Sequence, residues 1–333
     1  MPFLTSSFFL HRGMQALFDA SKLNSQRALL HSTSRRARET AAKIPMQIPG
    51  IDVWNGDLLR ETNPTANPLR AEDVFRKLFT EPPPGDDCIV VVAHNNIILY
   101  LLMRAAGVPI DRAAAAWNIF HLRHASITRI DVDGGGCKVV GVGMCGHMGH
   151  DKVTWNNIQG EDMSAFKGGE PERRKFSGRM LILVSHVAGT SAARSIDAAT
   201  KHILGLTSYM VSRSVTVAST AAAQEAGTAI AQSFKQPLSV MPGSITEFPE
   251  AAFQQFFAPP EEHSRDTVLL VAETSTVLYW LLRALQMSPE EAQLGRALYR
   301  IGQGSVALVN IKSNGSAKVV AVGDTSFMPM DCL

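Results

Sequence analysis

Residues 91–113 read VVAHNNIILYLLMRAAGVPIDRA, and residues 270–292 read LVAETSTVLYWLLRALQMSPEEA. Laid over one another, Val, Ala, Leu-Tyr, Leu, Arg-Ala and a final Ala fall in register. Ser126-Ile127-Thr128 and Ser305-Val306-Ala307 follow at the same offset, and GGGCKVVGVGMCGHMGHD (134–151) then lies over NGSAKVVAVGDTSFMPMD (314–331). Recurrence in one order over about 60 residues marks an internal repeat, and a period this long means two copies of one domain rather than a short-period solenoid.

Length and composition agree with that reading. The chain has 333 residues, which suits two domains of roughly 100–200 residues each. Hydrophobic residues make up 45% and charged residues 19%, a globular balance that excludes wholesale disorder. Thirty-two basic residues stand against 30 acidic ones, a net charge of +2, so no global basic field argues for a nucleic-acid partner. The four cysteines, Cys88, Cys137, Cys145 and Cys332, are too few and scattered for a disulfide framework, and a reducing compartment fits them. The most apolar stretch, 88–103, is interrupted by His94, Asn95 and Asn96. It falls short of the roughly 20 apolar residues of a membrane span, so no transmembrane segment is expected.

Working outward from the repeat, the first domain is expected over 1–151, a linker over 152–178 and the second domain over 179–333. The linker contains GEDMSAFKGGEPERRKFSG (160–178), polar, charged and glycine-rich as linkers are. Each copy shows a β-branched run (89–93; 267–272) followed by a helical apolar stretch (97–106; 277–287). A hairpin comes next, 126–132 with 138–142 and then 305–311 with 318–322, around Gly134-Gly135-Gly136 and Asn314-Gly315. Such turns supply the positive φ that tight hairpins need. The run MLILV (180–184) reads as a buried parallel strand opening the second copy. Alternating strands and helices predict an α/β fold: two tandem three-layer domains with mostly parallel sheets. Functional residues then belong just past the carboxyl ends of strands, where His94, His186 and Glu273 fall.

At such a turn an imidazole can act as base, nucleophile or anion donor, or be held structurally. In HSTSRRARET (31–40), Arg35, Arg36 and Arg38 stand beside a possible helix start, suited to an anion or to a solvated basic face. Residues 1–38 are rich in arginine and serine with Asp19 and no other acid before Glu39. They read as a mitochondrial transit peptide or as an amphipathic first helix carrying Leu10, Met14, Leu17 and Phe18. His121, His124, Cys145, His147 and His150 match no standard zinc spacing, so no metal is expected. The glycine run 134–136 lacks the strand–loop–helix context of a phosphate cradle.

The ordered set HSTSRRARET, DLLRET (57–62), VAHNNIILYLL, HASIT and VGMCGHM resembles the histidine phosphatase superfamily, the phosphoglycerate mutase-like proteins. Within it, the likeness is greatest to the mitochondrial Ser/Thr phosphatase branch. LVSHV and VGDTSFMPMD extend the likeness through the second copy. The resemblance implies phosphoryl transfer to a histidine nitrogen and hydrolysis of the phosphohistidine, with arginines and a second histidine stabilising the phosphoryl oxygens. It implies no cofactor. On it, Arg36 takes the arginine of the RAxET-type motif, His94 the second histidine and Glu61 a proton-donor place. Arg36 and His94 would bind phosphate.

The resemblance also implies that the first copy starts about a strand and a loop too late, and lacks the N-terminal strand that bears the nucleophile. In the second copy His186 keeps the nucleophile place. Ser185 replaces its arginine neighbour, Ala222 the motif arginine and Glu273 the second histidine, so this copy is expected to be inactive. Two functions follow as expectations. One is a phosphatase of the histidine type acting on a phosphorylated protein or small phosphomonoester. The other is a non-catalytic pseudo-phosphatase scaffold binding phosphorylated or acidic partners. Exchange of His186 into the Arg36–His94 site is disfavoured, because such sites in tandem domains lie apart. The resemblance points to the mitochondrion, with the cytoplasm as the alternative, and to a possible homo-oligomer.

Overall fold

The computed structural model describes residues 27–45, 50–61, 68–80, 88–116, 119–133, 136–149, 153, 178–186, 192–207, 212–241, 249–262 and 266–328. The helix expected over 10–21, and the linker apart from Val153 and Gly178, lie outside them. In the first half the elements are β1 (Arg27–Ser32), α1 (Arg35–Ala41), β2 (Asp52–Gly56), α2 (Pro68–Phe75), β3 (Cys88–Val92), α3 (Asn95–Ala105), α4 (Ile110–Ala116), β4 (Ile127–Asp133) and β5 (Gly136–Met144). The second half continues with β6 (Arg179–His186), α5 (Ala192–Thr207), β7 (Ser212–Val217), α6 (Ala221–Phe234), β8 (Leu238–Val240), α7 (Pro249–Phe256), β9 (Thr267–Glu273), α8 (Thr274–Ala284), α9 (Pro289–Gly295), β10 (Val306–Ile311) and β11 (Ala317–Asp324). The α/β class expected from the alternation is the one observed.

The strands form two sheets, ordered β2-β1-β3 and β4-β5-β11-β10-β6-β9-β7-β8. Pairing is parallel for β1 with β2 and β3, for β6 with β9, and for β7 with β8 and β9. The MLILV run therefore has a parallel neighbour on one side, as expected. On its other side β10, the first arm of the returning hairpin, runs antiparallel to it. Every residue of β6 from Met180 to His186 is buried, which explains its unbroken apolar sequence. Helices α3 and α8 begin two or three residues before their apolar runs. Their first turns, Asn95-Asn96 and Thr274-Ser275, are polar and carry no apolar period.

Strand neighbours explain a burial contrast between the halves. In β9, which lies between β6 and β7, Leu269 to Ala272 are fully buried. In β3 the corresponding residues are half-buried, and among the described residues β1 is its one neighbour. β10, flanked by β6 and β11, is likewise buried throughout, whereas β4 pairs with β5 alone and is half-exposed. No described strand joins β3 to β4, which leaves both as sheet edges among the described residues.

One side-chain cluster is built twice. Glu72 on α2 accepts from Arg104 Nε at 2.7 Å, from Arg104 Nη2 at 2.9 Å and from the Tyr100 hydroxyl at 2.8 Å. Arg104 also lies over the Phe75 ring, 4.9 Å from its centroid. Glu250 on α7 accepts from Arg283 Nε and Nη2, both at 2.9 Å, and from the Tyr279 hydroxyl at 2.7 Å. Arg283 lies over Phe253 at 4.9 Å. The repeated Leu-Tyr and Arg-Ala letters are the visible half of this device, which ties a helix to the one before it by charge-assisted bidentate bonds.

The halves meet across β5 and β11, where Val142 pairs with Val322. Around that pair the contacts are reciprocal. His121 N donates to Val319 O and Arg300 N donates to Val139 O, each at 2.8 Å. Residues 139 and 319 stand at corresponding places in the two aligned stretches, and residues 121 and 300 keep the offset of the Ser126 and Ser305 segments. This is the pattern of an isologous two-fold contact, here within one chain. Asp324, 1% exposed, breaks the symmetry. Its carboxylate accepts from the backbone N–H of Cys145 at 2.8 Å and of Gly146 at 3.1 Å. The matched residue of the first half is Met144, which has no carboxylate to return the contact.

Candidate active site

The first site lies at the carboxyl ends of β1 and β3, the end of a parallel sheet where ligands bind. β1 ends in Ser32, and Thr33-Ser34 turn the chain into α1. Ser34 is the N-cap of α1, yet its hydroxyl does not cap the helix. It is diverted to His94, 2.9 Å from Nε2, and the Ser32 hydroxyl is also 2.9 Å from Nε2. His94 is buried at 4% exposure and occupies the N-cap of α3.

Arg36, the second residue of α1, donates from Nε to His94 Nδ1 at 3.1 Å and from Nη2 to Glu61 Oε2 at 3.1 Å. Glu61 Oε2 itself lies 3.7 Å from His94 Nδ1. Because Nδ1 accepts from a guanidinium, the ring is neutral with its proton on Nε2, shared between the two serine oxygens. Burial, and then the Arg36 charge, hold the His94 pKa below its ordinary value. The sequence therefore named three residues, Arg36, His94 and Glu61, that the fold brings into direct contact.

Ser32 and Ser34 were quoted within HSTS but assigned no role, since a serine hydroxyl carries no spacing signal. Beyond Glu61 opens a cleft of about 550 Å³ lined by Asp57, Leu58, Arg60, Glu61 and Arg70. Its floor is ordered by Arg70, whose Nη2 donates to the carbonyls of Asp57, Leu58 and Arg60 at 2.5, 3.1 and 2.9 Å. The Thr33 hydroxyl fastens the cleft to the β1–α1 turn by donating to Asp57 Oδ1 at 2.5 Å. Arg60 stood in the quoted DLLRET segment, whereas Arg70 had no motif to announce it.

The fourth expected site residue, His186, lies in the other half. It ends β6 in register with Glu273, which ends β9. No hydrogen bond or ion pair links His186 to Arg36, His94 or Glu61 among the described residues. The neighbouring Ser185 hydroxyl is turned away, donating to Gly302 O at 2.7 Å and meeting the Ser305 hydroxyl at 2.8 Å. Glu273 Oε1 accepts from the Thr220 hydroxyl. Burial lowers the His186 pKa, opposed by the carboxylates of Glu225 and Glu273. Thus Arg36 reaches His94, while two carboxylates reach His186.

Burial pushes His121 and His147 down to about 4 and the Cys145 thiol up to about 12, which leaves them neutral near pH 7. Among the described residues no group of three or more His, Cys, Asp or Glu could hold a metal. No described helix is long and apolar enough to cross a membrane.

Residues 68–144 match the model of the histidine phosphatase superfamily (branch 1). A mitochondrial serine/threonine-protein phosphatase Pgam5 of Drosophila ananassae is 31% identical over 86 residues, 25% of this chain and 28% of that protein. The protein of that name from Xenopus laevis is 33% identical over 86 residues, 25% of this chain and 29% of that protein. The match thus spans little more than a quarter of the length of these relatives. A phosphoglycerate mutase from Plasmodium falciparum is similar in structure, with a TM-score of 0.39 and 18% identity, covering 46% of this chain and 94% of that one.

Proposed function

From a chain whose residues 68–144 are of histidine phosphatase type, we propose a phosphatase-type protein that binds the phosphoryl group of a phosphomonoester or phosphoprotein at Arg36 and His94. The observation that supports this most is the bond from Arg36 Nε to His94 Nδ1 at the carboxyl ends of β1 and β3. An incoming phosphoryl group gives Arg36 a stronger acceptor than a neutral imidazole, and Arg36 then turns from His94 Nδ1 to the phosphoryl oxygens. Negative charge that develops on the phosphoryl oxygens in transfer meets the same donors, and donors fixed beforehand lower the barrier. Glu61, bonded to Arg36 and open to the cleft, is proposed as the proton donor to a leaving oxygen once Arg36 turns to the phosphoryl group.

The chain is organised as two copies, 1–151 and 179–333, joined by 152–178, and the second is catalytically silent. Support comes from the duplicated Glu–Arg–Tyr cluster, the reciprocal contacts across β5 and β11, and a second site with Glu273 where the first has His94. A carboxylate there repels a phosphate dianion. The mitochondrial names of the relatives support mitochondrial residence.

Steady-state hydrolysis of p-nitrophenyl phosphate and a phosphoserine peptide by the full chain tests this function. Arg36→Ala and His94→Ala should each lower kcat/KM at least 100-fold, and His186→Ala should leave it unchanged. Turnover abolished by His186→Ala would overturn the assignment of both sites. The scaffold reading has its own support. A phosphohistidine route needs a nucleophile and a second histidine, and the described first site holds one imidazole. Saturable phosphopeptide binding without turnover is the outcome that reading expects.

A further inference from the structure

The carboxyl end of the β6–β9 pair gathers polar atoms that no described residue satisfies. His186 is 5% exposed and its Nδ1 has no hydrogen-bond partner. Glu273 Oε2 and the Thr274 hydroxyl, on the next strand and the helix that follows it, are also buried without partners. A buried polar atom left unpaired costs roughly 1–3 kcal/mol, so three at one strand end argue that something else completes them. Among the described residues, the charged groups whose fields reach His186 are the carboxylates of Glu225 and Glu273.

We propose that this second site binds a primary ammonium group, the chemistry shared by a lysine side chain and a free alkylamine. An ammonium carries three N–H donors on one compact centre, matching Glu273 Oε2, His186 Nδ1 and the Thr274 oxygen. A guanidinium fits less well, because its planar fork seeks both oxygens of one carboxylate, and Glu273 Oε1 is already held by Thr220. A metal does not fit, since no described cluster of His, Cys, Asp or Glu could hold one. The two ends of the molecule would then be complementary, one reading a phosphoryl group and the other a cation. The second reading stands on its own atoms and does not depend on the first.

The experiment is an NMR titration of the full chain at constant ionic strength, following the His186 imidazole. n-Butylammonium should shift its signals saturably, while tetramethylammonium, which has no N–H, and inorganic phosphate should not. Glu273→Gln, close in shape and still able to accept from Thr220, should weaken n-butylammonium at least tenfold. Should that variant fail to fold, Glu225→Gln reads the same field and should weaken binding about threefold. An acetyl-Gly-Lys-Gly amide separates the two sources. Tenfold tighter binding than n-butylammonium assigns the group to a protein lysine, and equal binding assigns it to a free amine. Equal response to tetramethylammonium, a phosphate-induced shift, or indifference to both Glu variants would each overturn the proposal and leave water as the occupant.

Discussion

His94 is held neutral by its surroundings, and that has a consequence for stability. Its folded pKa lies below the ordinary value because burial and Arg36 both disfavour the charged ring. Protonation therefore favours the unfolded chain, and stability should decline as pH falls below about 6.5 until the folded-state pKa is passed. In urea unfolding between pH 8 and pH 5, His94→Gln should reduce this dependence, and an unchanged slope would refute the assignment. Phosphate binding should raise the His94 pKa, since an anion near the ring favours its charged form. Arg36, His94 and Glu61 were legible because ordered letters of a familiar motif carried them. Ser32, Ser34 and Arg70 were not, because their contacts depend on how the β1–α1 turn and the segment after β2 pack.

Elements are held by the duplicated cluster, and it too titrates. Hydrogen bonds from Arg283 lower Glu250 to about 2, against the opposing effect of burial. A depressed carboxylate contributes stability that is present above its ordinary pKa and lost as pH falls towards the folded value. Arg283→Met should therefore cost about 2 kcal/mol at pH 7, and less as the pH falls from 4.5 to 2. Thermal unfolding across that range checks it, and a pH-independent cost would count against the ion pair. The α9 start offers a sharper local test. Ser288 and Glu291 form a reciprocal capping box around Pro289 at the first helical position, so Ser288→Ala should cost about 1 kcal/mol. Sequence reading saw Tyr100, Arg104, Tyr279 and Arg283 as repeated letters but not their purpose. Glu72 and Glu250 precede them by 28 to 33 positions, in stretches that share no aligned motif.

Across the whole molecule, the halves are joined by strand pairing and by one buried carboxylate. Burial pushes the Asp324 pKa up, but His202, Ser326, the Cys145 N–H and Arg123 outweigh it and hold the group below the ordinary value. Asp324→Ala leaves the buried N–H of Cys145 and the half-buried N–H of Gly146 without their acceptor. It should cost about 3 kcal/mol, measured by denaturant unfolding of the full chain. Asp324→Asn, which keeps an acceptor oxygen, should cost less. The hairpins were readable from letters and spacing, since they are local. The union of β5 with β11 was not, because strand neighbours so far apart in sequence are chosen by tertiary packing.

The central claim is that Arg36 and His94 form a phosphoryl-binding site. Titration of the full chain with inorganic phosphate, read at the His94 imidazole by NMR, tests it most directly. A saturable shift with a raised His94 pKa is expected, with at least tenfold weaker binding in Arg36→Ala and no change in His186→Ala. Phosphate that leaves His94 undisturbed, or that binds Arg36→Ala as tightly as the parent chain, would contradict it.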